Sequence, residues 1–266
     1  MNLALIGIVE TEQPMTVRGV FYRAVAAGLI DKTEANYKNV ICRLLLQLRR
    51  DDYIPYRWIT DGTRWSINSR SFDGMEDFRS QMVGFYRRAL WNDQDHYVEV
   101  FTEKDAIAGI LSPITGEWNV PLNVVRGFSS ETFLWTLAQD IITIDKPTYL
   151  YYFGDWDPSG VLGAHDVERR LRGFAPDAEI HFERVAVTPE QIQDWDLPTR
   201  PTKKTGTHHK DFDGESVEVD AIGAPRLREL VTECIERHID ADRLARTKAV
   251  ELVERESLEQ ALELLA

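Results

Sequence analysis

Tyr149-Leu-Tyr-Tyr-Phe-Gly-Asp-Trp-Asp-Pro-Ser-Gly160 is the stretch that decides the fold. Its first five residues are an apolar, aromatic run of the length and type of an interior strand. Gly154 breaks that run, and Asp157-Pro158 supplies an N-cap residue followed by proline at the first helical position. Strand, turn and helix start in succession predict one βα unit. Asp155 and Asp157 are two apart, so in an extended segment they point the same way. Carboxylates held side by side repel, and a divalent cation with oxygen ligands, typically magnesium, relieves them. Taken alone, Asp-x-Asp is more often a plain turn or helix cap.

A second unit lies upstream. His96-Tyr-Val-Glu-Val-Phe-Thr-Glu-Lys-Asp105 reads as a strand ending on Glu103, followed by a helix over about 105–111. Together the two units bring Glu103, Asp155 and Asp157 to one edge of a parallel sheet, where open α/β sheets place their sites. The intervening and following residues fit an α/β class. They read as a strand at 119–125, a turn at Gly127-Phe-Ser-Ser130, helices at 131–140 and 158–173, a strand at 179–187 and a short helix start at 188–192. Residues 199–216 read as a long polar loop, disordered in preference to functional, although Lys203, Lys204, His208, His209 and Lys210 are available to a phosphate backbone. Asp211, Asp213 and Glu215 imitate a metal loop but read as a turn. Helices over 225–239 and 241–265 close the chain.

The first 70 residues read differently. A short helix at 3–9 precedes a second at 17–27, capped by Thr16 and closed by Gly28. Thr33 caps a third from 34 to about 51, whose apolar face is Tyr37, Val40, Ile41, Leu44, Leu45 and Leu48. Residues 53–58 and 64–67, around Thr60-Asp-Gly-Thr63, make a hairpin. Three helices and a hairpin are the order of a winged helix, whose third helix commonly enters the major groove. On that reading Arg23, Lys38, Arg43, Arg50 and Arg64 contact DNA, as does Lys104 beside Glu103. A helical subdomain with a solvated basic face is the plainer alternative. The expected organisation is a DNA-binding domain at 1–70, a connecting helix at 71–95, a metal-binding α/β domain at 96–240 and a C-terminal helix at 241–266.

Composition permits this plan. Apolar residues make up 43 % of the chain and charged ones 28 %, with a net charge of −13, which argues against a general nucleic-acid coat. Residues 1–70 hold 10 Lys and Arg against 7 Asp and Glu, and the remainder holds 21 against 37. A mildly basic front and an acidic back suit a DNA-reading module joined to a metal-using one, and equally an ordinary acidic protein. No apolar run reaches membrane-spanning length, and the start lacks the features of a signal peptide. Cys42 and Cys234 are far apart with no Cys-x-x-Cys. A cytoplasmic protein with buried thiols and no zinc site is expected.

Tyr22 sits in Thr16-Val-Arg-Gly-Val-Phe-Tyr-Arg23, and Arg18, four residues earlier, shares its helix face. A guanidinium beside a tyrosine favours the phenolate and can bind a phosphate. The pair is therefore suited to tyrosine attack on phosphorus. The competing reading makes Phe21 and Tyr22 core aromatics.

These segments, in this order, resemble the A subunit of topoisomerase VI and its meiotic double-strand-break relatives. Arg18-Gly-Val-Phe-Tyr22 is similar to that family's Arg-x-x-Tyr-Tyr nucleophile motif, with Phe21 at the first tyrosine. Glu103-Lys104-Asp105-Ala106 and Gly154-Asp-Trp-Asp-Pro-Ser-Gly160 resemble the two acidic motifs of its TOPRIM domain. The resemblance covers roughly residues 10–235, although Gly127-Phe-Ser-Ser130 lacks the family's Gly-x-Pro-Asp. It implies that Tyr22, assisted by Arg18 and Glu103, cuts duplex DNA through a 5′-phosphotyrosyl link. It further implies Mg2+ on Glu103, Asp155 and Asp157, a homodimer in which tyrosine and metal come from different subunits, and a separate ATPase subunit for any full topoisomerase cycle. Two other functions remain open at this point: a TOPRIM nuclease that hydrolyses DNA, and a winged-helix DNA-binding protein whose α/β part is a dimerisation or sensing module.

Overall fold

In a computed structural model describing residues 1–60, 71–126, 129–202, 212 and 215–263, the chain begins with helix α1 (Asn2–Glu12) and a two-residue strand β1 (Met15–Thr16). Thr16 then caps α2 (Val17–Ala26), its hydroxyl accepting a hydrogen bond from the Gly19 amide at 2.8 Å. Gly28, at φ +67°, turns the chain out of that helix in a conformation that favours glycine. Thr33 caps α3 (Glu34–Asn36), which continues through a π-helical turn (Tyr37–Ile41) into α4 (Cys42–Arg50). The expected apolar stripe faces inward: Ile41, Leu45 and Leu48 are buried, and Tyr37, Val40 and Leu44 are half-buried.

The first arm of the expected hairpin is not a strand. Tyr56–Trp58 is a 3-10 turn, and only β2 (Ile59–Thr60) is extended, pairing in parallel with β1. Pro55 carries no amide hydrogen and its carbonyl accepts from Trp58 at 3.0 Å, which closes the turn. The expected return arm at 64–67 lies outside the described residues, as do residues 127–128 and most of the polar loop after Thr202. Helix α5 (Met75–Phe85) is shorter at both ends than the expected connecting helix at 71–95.

From residue 97 the chain alternates strand and helix: β3 (Tyr97–Thr102), α6 (Asp105–Glu117), β4 (Leu122–Val124), α7 (Glu131–Ile144), β5 (Thr148–Phe153), α8 (Pro158–Phe174), β6 (Ile180–Ala186) and α9 (Pro189–Asp194). Helices α10 (Ala224–Glu236) and α11 (Ala241–Glu263) follow. β4 is shorter than the expected 119–125 because Asn119, at φ +56°, and Pro121 delay the extended conformation. All four strands are parallel, in the order β4-β3-β5-β6. The crossover after β3 runs to one side and the next returns to the other, so the connections reverse direction between β3 and β5. That switch point is where open α/β sheets form a crevice beyond their strand ends.

Each face of the sheet has its own core. Val98, Val100, Tyr151 and Phe153 pack with Ile107 and Leu111 of α6 and Leu227 and Val231 of α10. The same apolar cluster continues into Leu5, Val20, Ile41 and Leu45, so the front helices and the sheet share one interior. Phe101, Leu150 and Tyr152 pack on the opposite face with α7 and α8. Burying a side chain of this size stabilises by about 1.5–3 kcal/mol, which ties the front helices firmly to the sheet. Among the described residues no helix is long and apolar enough to cross a membrane.

Candidate functional site

Glu103 follows the last residue of β3, and Asp155 and Asp157 follow β5, at the two strand ends that flank the switch point. The Asp-x-Asp turn is tightly folded. A Cβ on Gly154 would lie 2.5 Å from Cε1 of Tyr152, and one on Gly160 would lie 2.4 Å from the Asp155 carbonyl oxygen. Asp157 caps α8 by accepting from the Gly160 amide at 2.8 Å, with Pro158 at the first helical position. The turn thereby brings the Asp155 amide within 3.4 Å of Glu103 Oε2. Burial and then the charge of Asp155 raise the Glu103 carboxyl above its ordinary range. Burial also raises Asp155, against the pull of Lys104. Among the described residues Glu103 has no ion pair.

A third acidic element joins these two. Val217 exchanges backbone hydrogen bonds with Trp156 at 2.8 and 2.9 Å, and the Val219 amide donates to Asp155 Oδ1 at 2.9 Å. This lays the buried side chains of Glu218 and Asp220 beside Asp155. Lys104 Nζ reaches Asp155 at 2.8 Å, Asp220 at 2.9 Å and Glu218 at 3.5 Å. Burial works against that ammonium, but the three carboxylates outweigh it and hold Lys104 charged. Lys104, expected to face DNA, is thus turned inward. Arg200 spans Glu218 at 3.0 Å and Asp157 at 3.4 Å. The available sequence signal was Val217-Glu-Val-Asp220, in which two acids alternate with apolar residues directly after the polar loop.

The same acids receive the front helix. Arg18 of α2 donates to both oxygens of Glu218, at 2.8 and 2.9 Å, and the Thr16 hydroxyl donates to Asp220 at 3.3 Å. Tyr22, one turn further along, is 2 % exposed, with its ring against Phe21 and Lys32 Nζ 5.2 Å from the ring centroid. Burial, then Glu218, push the phenol well above its ordinary value and outweigh Arg18 and Lys104. With Arg18 committed to Glu218, the expected activation of Tyr22 does not operate in this closed arrangement. Burial takes Lys32 down to about 8, while its ammonium donates to the carbonyls of Pro198 and Thr199.

The remaining expected DNA contacts form no ion pair with these acids among the described residues. Arg23 pairs with Glu12 at 2.6 Å, Lys38 pairs with Glu34 at 3.4 Å, and Arg43 and Arg50 are exposed on the helix over 34–50. Arg64 lies outside the described residues. Among the described residues no group of three or more acidic, histidine or cysteine side chains is arranged to hold a metal ion. The reason is local: Asp155 Oδ1 is taken by Lys104 and the Val219 amide, and Asp157 by the Gly160 amide and Arg200. The donor chemistry, carboxylate oxygens from two adjacent strand ends, suits magnesium. Closing a shell around it requires Asp155 and Asp157 to turn from these partners.

No protein-family model matches the sequence, and neither does any curated protein.

Proposed function

We propose that this chain is a magnesium-dependent DNA-cleaving transesterase of the topoisomerase VI A-subunit type, acting on duplex DNA in the cytoplasm as a homodimer. The observation that carries the reading is electrostatic continuity. Arg18, on the helix that bears Tyr22, is joined through Glu218 and Lys104 to Asp155 at the acid edge. In this reading residues 1–70 serve as the winged helix and residues 96–240 as the TOPRIM domain. Glu103, Asp155 and Asp157 would hold the magnesium, which when bound supplies stabilisation of charge on phosphorus and on the departing oxygen. Arg18, released from Glu218, binds a non-bridging phosphate oxygen. The Tyr22 oxygen forms a bond to phosphorus as the bond from phosphorus to the 3′-oxygen breaks. The phenolic proton passes to solvent and the 3′-oxygen takes one up, leaving a 5′-phosphotyrosyl end and a 3′-hydroxyl. Strand passage would require a separate ATPase chain.

A second reading, hydrolysis by a metal-bound site with Tyr22 purely structural, is favoured by one observation: Tyr22 is buried and its phenol is held protonated. One experiment separates the two. The protein is incubated with supercoiled DNA and magnesium, denatured, and assayed for protein covalently attached to DNA. The transesterase reading expects an adduct from the wild type and none from Tyr22→Phe. Cleavage that persists in Tyr22→Phe with free 5′-phosphate ends transfers the assignment to the hydrolase. Salt-dependent DNA binding with no cutting, unchanged in Asp155→Ala, would leave only a binding protein.

A further inference from the structure

Beneath the acid edge lies a half-buried guanidinium with no carboxylate partner among the described residues. Arg184 stands on β6 beside β5 and donates Nη1 to the carbonyl oxygens of Gly154 at 3.2 Å and Asp155 at 3.1 Å. Its Nη2 donates to the Gly160 carbonyl at 2.7 Å, and the group lies over the rings of Tyr152 and Trp156. Burial alone disfavours its charge, and a buried cation without a paired anion is costly. What it contacts explains why it is there. The three carbonyls belong to the two ends of one turn, and between those ends sit Asp155 and Asp157. A planar fork with fixed donor directions suits three carbonyls at once, whereas an ammonium does not reproduce that geometry.

We propose that Arg184 is a positioning residue for the cation site, pinning the Gly154–Gly160 backbone so that the turn bearing Asp155 and Asp157 is held beside Glu103. This inference rests on the metal reading above and adds a residue to it. It carries a sign that a purely electrostatic or purely structural role does not. Arg184 places a positive charge near the carboxylates, so removing only that charge should tighten magnesium binding. Removing a clamp should weaken it. Groups that orient metal ligands typically contribute about 10–100-fold to metal affinity.

The test is calorimetric titration of magnesium alone into the full-length wild type, Arg184→Lys and Arg184→Met, with circular dichroism and thermal melting as controls on folding. Both variants are expected to bind magnesium about tenfold or more weakly, because both lose the fork although lysine keeps the charge. Wild-type-like or tighter binding in Arg184→Met overturns the proposal. Where that variant fails to fold, an unchanged affinity in Arg184→Lys overturns it equally. A wild type that binds no magnesium sinks the metal reading and this inference together. Binding by the wild type with unaltered variants sinks this inference alone.

Discussion

Arg18 and Glu218, 200 residues apart in sequence, meet in a two-bonded fork with nitrogen–oxygen distances of 2.8 and 2.9 Å. Burial alone would raise Glu218, but the Arg18 hydrogen bond and the charges of Lys104, Arg18 and Arg200 take it down to about 2. The fork fastens the helix that carries Tyr22 onto the acid edge, so the same contact that unites the site also keeps the phenol inside.

Loosening that fork should expose Tyr22. Glu218→Gln keeps the shape and removes the charge that holds Arg18. Nitration of Tyr22 by tetranitromethane, read by mass spectrometry of its peptide, is expected to rise several-fold over the wild type. An unchanged yield would show that α2 is held by its apolar packing instead. The same variant has a pH signature. A carboxyl depressed from 4.5 to about 2 adds stability that is present above pH 4.5 and is lost as pH falls toward 2. Thermal melting of the wild type should therefore fall more steeply across that window than melting of Glu218→Gln. The difference should be at most about 3 kcal/mol, and less because Arg18 is partly solvated.

Glu99 gives the opposite slope. It lies on the α7 side of β3, 2 % exposed, and accepts from Asn123 Nδ2 at 2.7 Å. Burial raises it to about 7 although the Asn123 bond opposes the shift. The native state then keeps a proton that the unfolded chain releases above about pH 4.5. Stability from this group is complete below that pH and is lost as pH rises through 7. Glu99→Gln preserves volume and hydrogen bonding, so it should be more stable than the wild type at pH 8 by about 2–3 kcal/mol, with no gain at pH 4.5. Urea titrations at both pH values check this, and an equal gap at both would refute the buried-proton account.

Two glycines should respond oppositely to alanine. A Cβ on Gly160 would lie 2.4 Å from the Asp155 carbonyl oxygen and 3.1 Å from Glu103 Oε2, and the backbone atom cannot yield without moving the turn. Gly160→Ala should cost about 1–3 kcal/mol and weaken any magnesium binding. Gly7, inside α1, has nothing within 4 Å of such a Cβ, so Gly7→Ala should stabilise by about 0.5–1 kcal/mol. Chemical denaturation of the two variants side by side measures both. A Gly160→Ala protein of wild-type stability would contradict the tight-turn geometry.

These outcomes also mark what was readable from residues alone. The βα units were legible because their signals are local: an aromatic run stopped by Gly154, then Asp157-Pro158 as a cap. The meeting of Glu103 with Asp155 followed from parallel topology, which places strand ends together. The π-turn after Asn36 and the short β2 were not legible, since one depends on how a helix packs and the other on a distant strand at Met15. The role of Glu218 and Asp220 is not local: it arises only when their segment folds back on Asp155, 64 residues earlier than Val219. Arg18 and Tyr22 were correctly spaced as neighbours, yet the direction of the phenol's shift is set by burial first and then by Glu218. Helical spacing records who shares a face; it does not record the field from the rest of the chain.

The basic face over residues 34–50 offers the sharpest check on the nucleic-acid side of the proposal. Arg43 and Arg50 are exposed and lie seven residues apart, two helical turns along one side. Among the described residues Lys38 is tied only to Glu34, at 3.4 Å in an exposed pair that contributes little. If this face meets the phosphate backbone, each arginine releases about one counterion on binding. The plot of log affinity against log salt concentration should then lose about 2 units of slope in the Arg43→Ala, Arg50→Ala double variant. Stability should stay within about 0.5 kcal/mol of the wild type, because neither side chain is packed. Arg226, on the surface of α10 and paired with Glu229, serves as the control, and Arg226→Ala should leave the slope unaltered. Fluorescence anisotropy with a labelled duplex between 50 and 200 mM salt, roughly the range over which such contacts are felt, measures all three proteins. Equal slopes would remove this helix from the DNA interface and turn attention to the residues beyond Thr202, where Lys203, Lys204 and Lys210 are the next cations in the chain.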